Sequence, residues 1–381
     1  MATAITDATV LDRADGWRAE PGIDVVLDGG RIAACGPGAA AEFPDAERMD
    51  GAGFLLTPGF VNAHCHSTEA LARGIAAGAG LQDWLDAAMS GIDVLTADDI
   101  ALAVRLSAAD QVRSGVTAVV DHFRQLPTRL DAAEAAADAW ASTGLRATLA
   151  MMVRDGAAPD GTVADAAHAG PPPRTEDIVA LCADWLDAAA PDAGVVRALG
   201  PSAAIRCTES LIGTLAELAR TRAAPLHMHV DETAEQAERA RALYGGGTAV
   251  SALARLGALG PGTSLVHCVH VTDDDIATLA QTGTTAVHCP VANLRLGSGI
   301  APAARMRDAG VALSVATDGA ASNDAQSITE VVKTALLLSR VRPGEDRWLA
   351  VDDVLDMAFR PGPRPFLGDA NPLCGRLTAG A

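Results

Sequence analysis

Two pairs of histidines stand in the sequence with the spacing that a metal site on strand ends requires. His64 and His66 close the apolar run that begins at Phe60, and His227 and His229 lie in a second apolar run. Residues two apart on a β-strand point to the same face, so each pair presents both imidazoles to one side. We predict His64, His66 and His229 as metal ligands. His227 lies deeper in its strand and is predicted to pack behind them.

Side chains at three further positions could complete the chemistry. Asp318 ends a later apolar run, where a carboxylate can ligate a metal and accept a proton. Glu232 follows His229 in the turn that leaves the strand and is predicted to shuttle protons. His267, at another strand end, could polarise a substrate oxygen or a metal-bound hydroxide. Three histidines and one aspartate suit one divalent ion, Zn²⁺ in preference to Fe²⁺, which lowers the pKa of bound water to about 7.

These residues need a scaffold that gathers several strand ends. From residue 59 onward, short apolar runs alternate with amphipathic or alanine-rich helical patterns. A strand followed by a helix, repeated eight times, predicts a parallel (β/α)₈ TIM barrel, whose functional groups gather at the C-terminal strand ends. The predicted strands are residues 60–63, 117–120, 146–152, 195–199, 225–230, 264–266, 285–287 and 312–316.

The segments that flank the barrel have other patterns. Residues 1–58 are predicted to form strands of a small β-sandwich, since apolar runs flank Asp28-Gly29-Gly30, a hairpin-turn signal. The metal-dependent barrel is assigned to residues 59–350, and a C-terminal helix and return segment to residues 351–381. The sequence therefore predicts an α/β fold with an accessory domain.

The composition limits the classes of binding partner and the cellular compartment that we expect. The formal net charge of −19 repels phosphate backbones and argues against nucleic acid as a partner. No run of about 18 uncharged apolar residues occurs, so no membrane partner or span is predicted. The seven cysteines are scattered without a CxxC pair, and the N-terminus lacks the features of a signal peptide. We expect a cytoplasmic protein with reduced thiols. The composition leaves open whether the protein forms a homo-oligomer.

Longer motifs around these residues are similar to those of a known family. Residues 57–66, 229–232, 267–270, 288–302 and 317–323 resemble the amidohydrolase superfamily, in its cytosine/guanine deaminase and chlorohydrolase branch. The resemblance covers nearly the whole chain. Binuclear members bridge two metals with a modified lysine after strand four, whereas the only lysine here is Lys333. A mononuclear site is therefore expected.

The resemblance implies roles for individual residues. The implied metal ligands are His64, His66, His229 and Asp318. Glu232 corresponds to the proton shuttle, His267 assists the attacking hydroxide, and Asp318 also passes a proton to the leaving group. Trp84 resembles the lid over the substrate and Ser322 a substrate-contacting position. His122, at the end of strand two, either touches the substrate or packs behind the site.

The resemblance also implies a reaction. A metal-bound hydroxide attacks a carbon of a nitrogen heterocycle, usually with release of ammonia. The expected partner is a small heterocyclic substrate of purine, pterin, pyrimidine or triazine type. Hydrolytic dechlorination or C–S cleavage on a similar ring is one alternative, and a catalytically silent, truncated relative is another.

Two features depart from the family pattern. Ser202 stands where relatives acting on adenosine-type thioethers often carry histidine, which argues against a methylthioadenosine or adenosylhomocysteine deaminase. The family's N-terminal strands normally pair with strands that follow the barrel, and this sequence ends at Ala381. We therefore expect an incomplete accessory sandwich and a truncated C-terminal segment.

Overall fold

The computed structural model describes residues 1–13, 16–156, 173–188, 194–344, 347–359 and 375–380. Two compact units are present, and each is described by itself. One comprises Met1–Phe60 with the described residues 375–380, and the other comprises the described residues from Val61 onward, up to residue 359. The domain boundaries at residues 58 and 350 stay a prediction.

The smaller unit contains a mixed sheet. Its strands are β1 (Thr3–Arg13), β2 (Trp17–Asp28), β3 (Arg31–Gly36), β4 (Glu47–Asp50) and β5 (Leu55–Leu56). β1 pairs antiparallel with β2 and parallel with β4 and β5, and β2 pairs antiparallel with β3. The predicted hairpin turn joins β2 to β3, where Gly29 and Gly30 have φ angles of 56° and 76° that glycine adopts without strain.

The larger unit is built on a parallel sheet of eight strands in sequence order, the arrangement of a nearly closed (β/α)₈ barrel. The predicted fold class is confirmed, and each predicted run forms one strand. The strands are β6 (Phe60–Cys65), β7 (Val116–Phe123), β8 (Arg146–Val153), β9 (Val195–Pro201), β10 (Leu226–Val230), β11 (Thr263–His267), β12 (Thr285–His288) and β13 (Ala312–Val315).

Side chains join the first and last barrel strands at a seam. The Asn62 amide donates to Thr317 Oγ1 over 2.7 Å, and its Oδ1 accepts from the Thr317 backbone N–H over 3.0 Å. The Asp318 N–H donates to the His64 carbonyl over 3.1 Å. These bonds fix the end of the chain's last barrel strand beside the end of the first.

Helices surround these strands. They are α1 (Leu81–Ile92), α2 (Ala97–Arg113), α3 (Leu130–Ala141), α4 (Thr175–Asp187), α5 (Glu209–Arg222), α6 (Ala234–Leu243), α7 (Ala249–Arg255), α8 (Asp273–Thr282), α9 (Pro290–Arg295), α10 (Ala303–Asp308), α11 (Ala320–Asn323), α12 (Ile328–Leu338) and α13 (Val351–Phe359). Thr96 and Thr272 begin α2 and α8 with capping boxes. Among the described helices, none has the length and apolar character needed to cross a bilayer.

The core of the barrel unit lies between the strands and the helices. Trp140, Trp185 and Leu199 are fully buried in one large apolar cluster. Trp140 also donates its indole N–H to Asp121 Oδ2 over 2.8 Å, and Asp121 Oδ1 accepts from the Ser67 N–H over 3.1 Å. Packing and these bonds therefore hold the loop that follows His66, which matters for the site described next.

Candidate functional site

The four predicted ligands meet at the C-terminal ends of the barrel strands. His64 lies near the end of β6 and His66 directly follows that strand, while His229 lies in β10 and Asp318 follows β13. Asp318 Oδ1 lies 3.2 Å from His64 Nε2 and 3.5 Å from His66 Nε2. His66 Nε2 lies 3.3 Å from His229 Nε2. The four side chains thus converge on one point.

These separations are short enough for the four donor atoms to share one divalent ion, since nitrogen and oxygen donors lie about 2.0–2.1 Å from such a metal. His64 Nε2 is buried and has no hydrogen-bond partner among the described residues. A buried polar atom without a partner is costly unless another group meets it. The donor set therefore fits a metal ion with nitrogen and oxygen ligands.

Burial keeps two of these histidines neutral. Desolvation, followed by the charges of neighbouring imidazoles, lowers the pKa of His64 and of His229 well below the ordinary value of 6.5. A neutral imidazole offers a lone pair to an ion without first losing a proton. Both side chains are therefore in the ligating form at neutral pH.

Backbone carbonyls orient two of the four side chains. His66 Nδ1 lies 2.7 Å from the His122 carbonyl, and His229 Nδ1 lies 2.6 Å from the Ser202 carbonyl. Because a carbonyl only accepts, each Nδ1 carries the proton and donates it. The Nε2 lone pair of both rings is left to face the point of convergence, as in metal sites whose ligands have fixed tautomers.

A chain of side chains orients His64. Its Nδ1 lies 2.8 Å from His227 Nε2, and His227 Nδ1 lies 2.5 Å from Ser264 Oγ. When His64 Nε2 is unprotonated, its Nδ1–H donates to His227, and His227 Nδ1–H donates to Ser264. His227 is fully buried behind His64, in the position that its depth in the strand predicts.

Glu232 and His267 face each other beside the ligand cluster. Glu232 Oε2 lies 3.7 Å from His267 Nε2, and Glu232 Oε1 accepts from Ser298 Oγ over 3.1 Å. His267 Nδ1 donates to Asn293 Oδ1 over 2.9 Å. The two contacts hold a carboxylate and an imidazole nitrogen close to one another, an arrangement that can move protons.

The backbone is strained at two of these residues. Asp318 has a φ of 64° and His267 a φ of 72°, in the left-handed region that residues with side chains seldom adopt. Such strain persists where the surrounding structure enforces it and is concentrated at functional sites. The fold therefore maintains unfavourable backbone conformations to aim these two side chains.

A cleft opens over the cluster. Its floor is formed by His66, His229, Glu232, His267 and Asp318. Apolar side chains cover part of the wall, namely Trp84, Leu85, Met89 and Leu296. A cleft with an apolar wall and a few convergent polar groups is typical of a small-molecule site.

The three predicted substrate contacts occupy different places. Trp84 and Ser322 both line the cleft, and the buried Trp84 Nε1 has no partner in the described part of the chain. His122 is buried behind the floor, where its ring stacks on those of His66 and His229 with centroids 5.7 and 4.8 Å away. His122 Nε2 donates to the Gly200 carbonyl over 3.2 Å. In this position His122 supports the rings of His66 and His229.

Polar residues that the sequence analysis did not single out also line the cleft. They include Glu69, Arg124 and Arg206. Burial, followed by the nearby Asp318, raises the pKa of Glu69 well above its usual range. A Cβ on Gly319 would lie 1.7 Å from Glu69 Oε2, so this carboxyl group needs glycine opposite it. The sequence feature that could have identified Glu69 is an acidic residue three positions after His66.

Comparisons with known proteins identify the family of the chain. The model of the amidohydrolase family matches residues 55–359. A 5-methylthioadenosine/S-adenosylhomocysteine deaminase of Desulforudis audaxviator is 32% identical over 90% of this chain and 75% of its own length. A crystal structure described as an adenosine deaminase from Xanthomonas campestris with bound zinc is 27% identical, with a TM-score of 0.83 over 99% of this chain and 82% of that one.

A third similar protein is named for a different activity. It is a mutant atrazine chlorohydrolase from Arthrobacter aurescens, complexed with zinc and atraton, at 26% identity. Its TM-score is 0.86 over 99% of this chain and 85% of that one. The resemblance predicted from the motifs is confirmed, and the chain belongs to the amidohydrolase family.

Proposed function

We propose that this protein is a metal-dependent aminohydrolase, which replaces the amino group on a small nitrogen heterocycle with oxygen and releases ammonia. The observation that carries the proposal is the convergence of three histidines and Asp318 beside Glu232 at one cleft. The relatives described as deaminases support this reaction. Their names favour an adenine-type ring within the predicted substrate classes.

We propose one Zn²⁺ ion, held by His64, His66, His229 and Asp318. The nitrogen and oxygen donors suit zinc, and both solved structures reported above contain it. When bound, the ion supplies Lewis-acid activation of a water molecule. The remaining chemistry depends on proton transfers by the chain's own side chains.

Glu232 is the proposed proton carrier. It takes a proton from the attacking water and delivers it to the ring nitrogen next to the attacked carbon, as the new C–O bond forms. The added hydroxyl then gives its proton to Asp318 and becomes the carbonyl oxygen of the product. Glu232 delivers this second proton to the amino group as the bond from the carbon to that group breaks, which releases ammonia. His267, held by Asn293, orients the attacking oxygen through its Nε2.

Recognition of the ring is assigned to the cleft walls. Trp84 and its apolar neighbours cover the ring face, while Trp84 Nε1 and Ser322 Oγ supply polar contacts at its edge. His122 acts by supporting His66, whose Nδ1 it binds through its carbonyl. The argument that Ser202 disfavours methylthioadenosine and adenosylhomocysteine stays a prediction. The cytoplasmic location also stays a prediction, and the oligomeric state stays open.

Product release from a panel of rings tests the function. Zinc-loaded protein is incubated with amino-purines, pterins, pyrimidines and triazines, and ammonia is measured with a coupled assay. Chloride and thiol release from the matching ring analogues is measured in parallel, because similarity to a chlorohydrolase makes dechlorination the second candidate. Chloride or thiol release without ammonia would replace the aminohydrolase proposal. A folded, zinc-loaded protein that releases nothing would favour a silent relative.

The His227 chain yields a prediction about metal binding. His227→Phe fills the space but leaves His64 Nδ1 without an acceptor, so the tautomer that ligates is no longer favoured. We expect zinc affinity to fall by about 10- to 100-fold, measured by chelator competition. Ser264→Ala should weaken it less, since the His64–His227 contact remains. An unchanged affinity in His227→Phe would show that the chain does not position His64.

A further inference from the structure

The wall of the cleft contains the guanidinium of Arg206. This residue is half-buried and ends the 3-10 helix Ala204–Arg206. Across the described residues, its side chain forms no hydrogen bond or ion pair. The other arginine that lines the cleft, Arg124, is bonded to Asp93 Oδ2 over 3.0 Å. Among the described residues, none neutralises the guanidinium of Arg206 in the cleft wall.

The backbone beneath Arg206 is held in place. The Arg206 carbonyl accepts from the Gly156 N–H over 3.1 Å, and its own N–H donates to the Ala203 carbonyl over 3.0 Å. Tyr244 donates its hydroxyl to the Ala204 carbonyl over 2.6 Å. Ala203 also forms a β-bridge with His229, so the helix is tied to a strand that forms the floor. Arg206 thus has a fixed place relative to the proposed metal site.

The carboxylates of the cleft have other partners. Asp318 contacts His64 and His66, Glu232 accepts from Ser298, and Glu69 lies 3.4 Å from Ser322 Oγ. None of them forms an ion pair with Arg206. These carboxylates therefore do not occupy the Arg206 guanidinium, which stays available to a ligand in the cleft.

We propose that the substrate carries an oxyanion, a carboxylate or phosphate, on the side remote from the reacting ring, and that Arg206 binds it. The inference rests on the proposed aminohydrolase function. A guanidinium binds such a group with two parallel N–H···O bonds. Binding in this direction brings the uncharged ring to Glu232 and keeps the anion in the wall.

Matched substrate pairs test the proposal. S-adenosylhomocysteine against 5-methylthioadenosine examines a carboxylate, and adenosine 5′-monophosphate against adenosine examines a phosphate. For at least one pair we expect a higher kcat/KM for the anionic member. In Arg206→Gln the ratio of anionic to neutral kcat/KM should fall by about 10- to 100-fold, mainly through KM. The pair that responds identifies the oxyanion.

A matched control removes the same charge elsewhere. Arg220→Gln changes an exposed arginine on α5 that pairs with Glu217, and the ratio should stay at its wild-type value. An equal loss on neutral and anionic members in Arg206→Gln would overturn the proposal, even if ammonia release confirms the aminohydrolase. If no ring is deaminated, calorimetry measures the binding of the same four compounds. Equal affinities in wild type and Arg206→Gln would then contradict the proposal that Arg206 binds the oxyanion.

Discussion

Replacing Glu232 with glutamine is expected to lower kcat by about 10²- to 10⁴-fold while the zinc content stays at the wild-type level. Glutamine has the same shape and can still accept from Ser298, but it cannot take up and release a proton. The measurement is steady-state kinetics on the ring that releases ammonia, together with metal analysis of the same sample.

Glu238→Gln is the matched control for this prediction. Glu238 is exposed on α6, the helix that follows Glu232, so its loss changes the net charge equally without reaching the cleft. We expect wild-type kinetics. If Glu232→Gln retained full turnover with zinc bound, another group would have to be the proton carrier.

Removing one proposed ligand should have an equally large effect through the metal. In His66→Ala, a donor at 3.3–3.5 Å from two other donors is lost. We expect zinc affinity to fall by more than the roughly 10- to 100-fold that supporting contacts contribute, and ammonia release to disappear with the ion. Metal analysis after desalting and thermal unfolding with and without zinc measure this.

The thermal measurement separates lost metal from lost folding. Wild type should gain about 2.7 kcal/mol of stability at a zinc concentration 100 times its Kd, whereas His66→Ala should gain far less. His270→Gln serves as the control for metal content, since His270 binds the Ser298 carbonyl at 2.8 Å and is not in the ligand cluster. Stoichiometric zinc in His66→Ala would remove His66 from the ligand set.

The barrel and its ligands could be predicted from the sequence for a physical reason. Strands of a parallel barrel are buried on both faces, so each one appears as a short continuous apolar run. His64 and His66 share a face because of the two-residue period of a strand, and the carboxyl ends of parallel strands lie at one face of the barrel. The local sequence pattern of each strand therefore indicates which side chains meet at the site.

Other parts of the site depend on strand register and on contacts between residues far apart in the sequence, which a local sequence pattern does not show. The contact of His227 with Ser264 follows from the register between β10 and β11, which pairs these two residues. Glu69 and Arg206 lie on 3-10 helices after strands, where side-chain direction has no simple period. His122 ends a strand like the ligands, yet the bond to Gly200 turns its ring away from the cleft.

The seam between the first and last barrel strands sets the earliest time at which the ion can be captured during protein synthesis. Asn62 and Thr317, which close the seam, are 255 residues apart in the chain. A ribosome adding about 5–20 residues per second needs roughly 10–50 s to cover that distance. Throughout this interval the nascent chain holds His64 and His66 without Asp318. Capture of zinc by the full proposed donor set therefore follows translation of nearly the whole barrel.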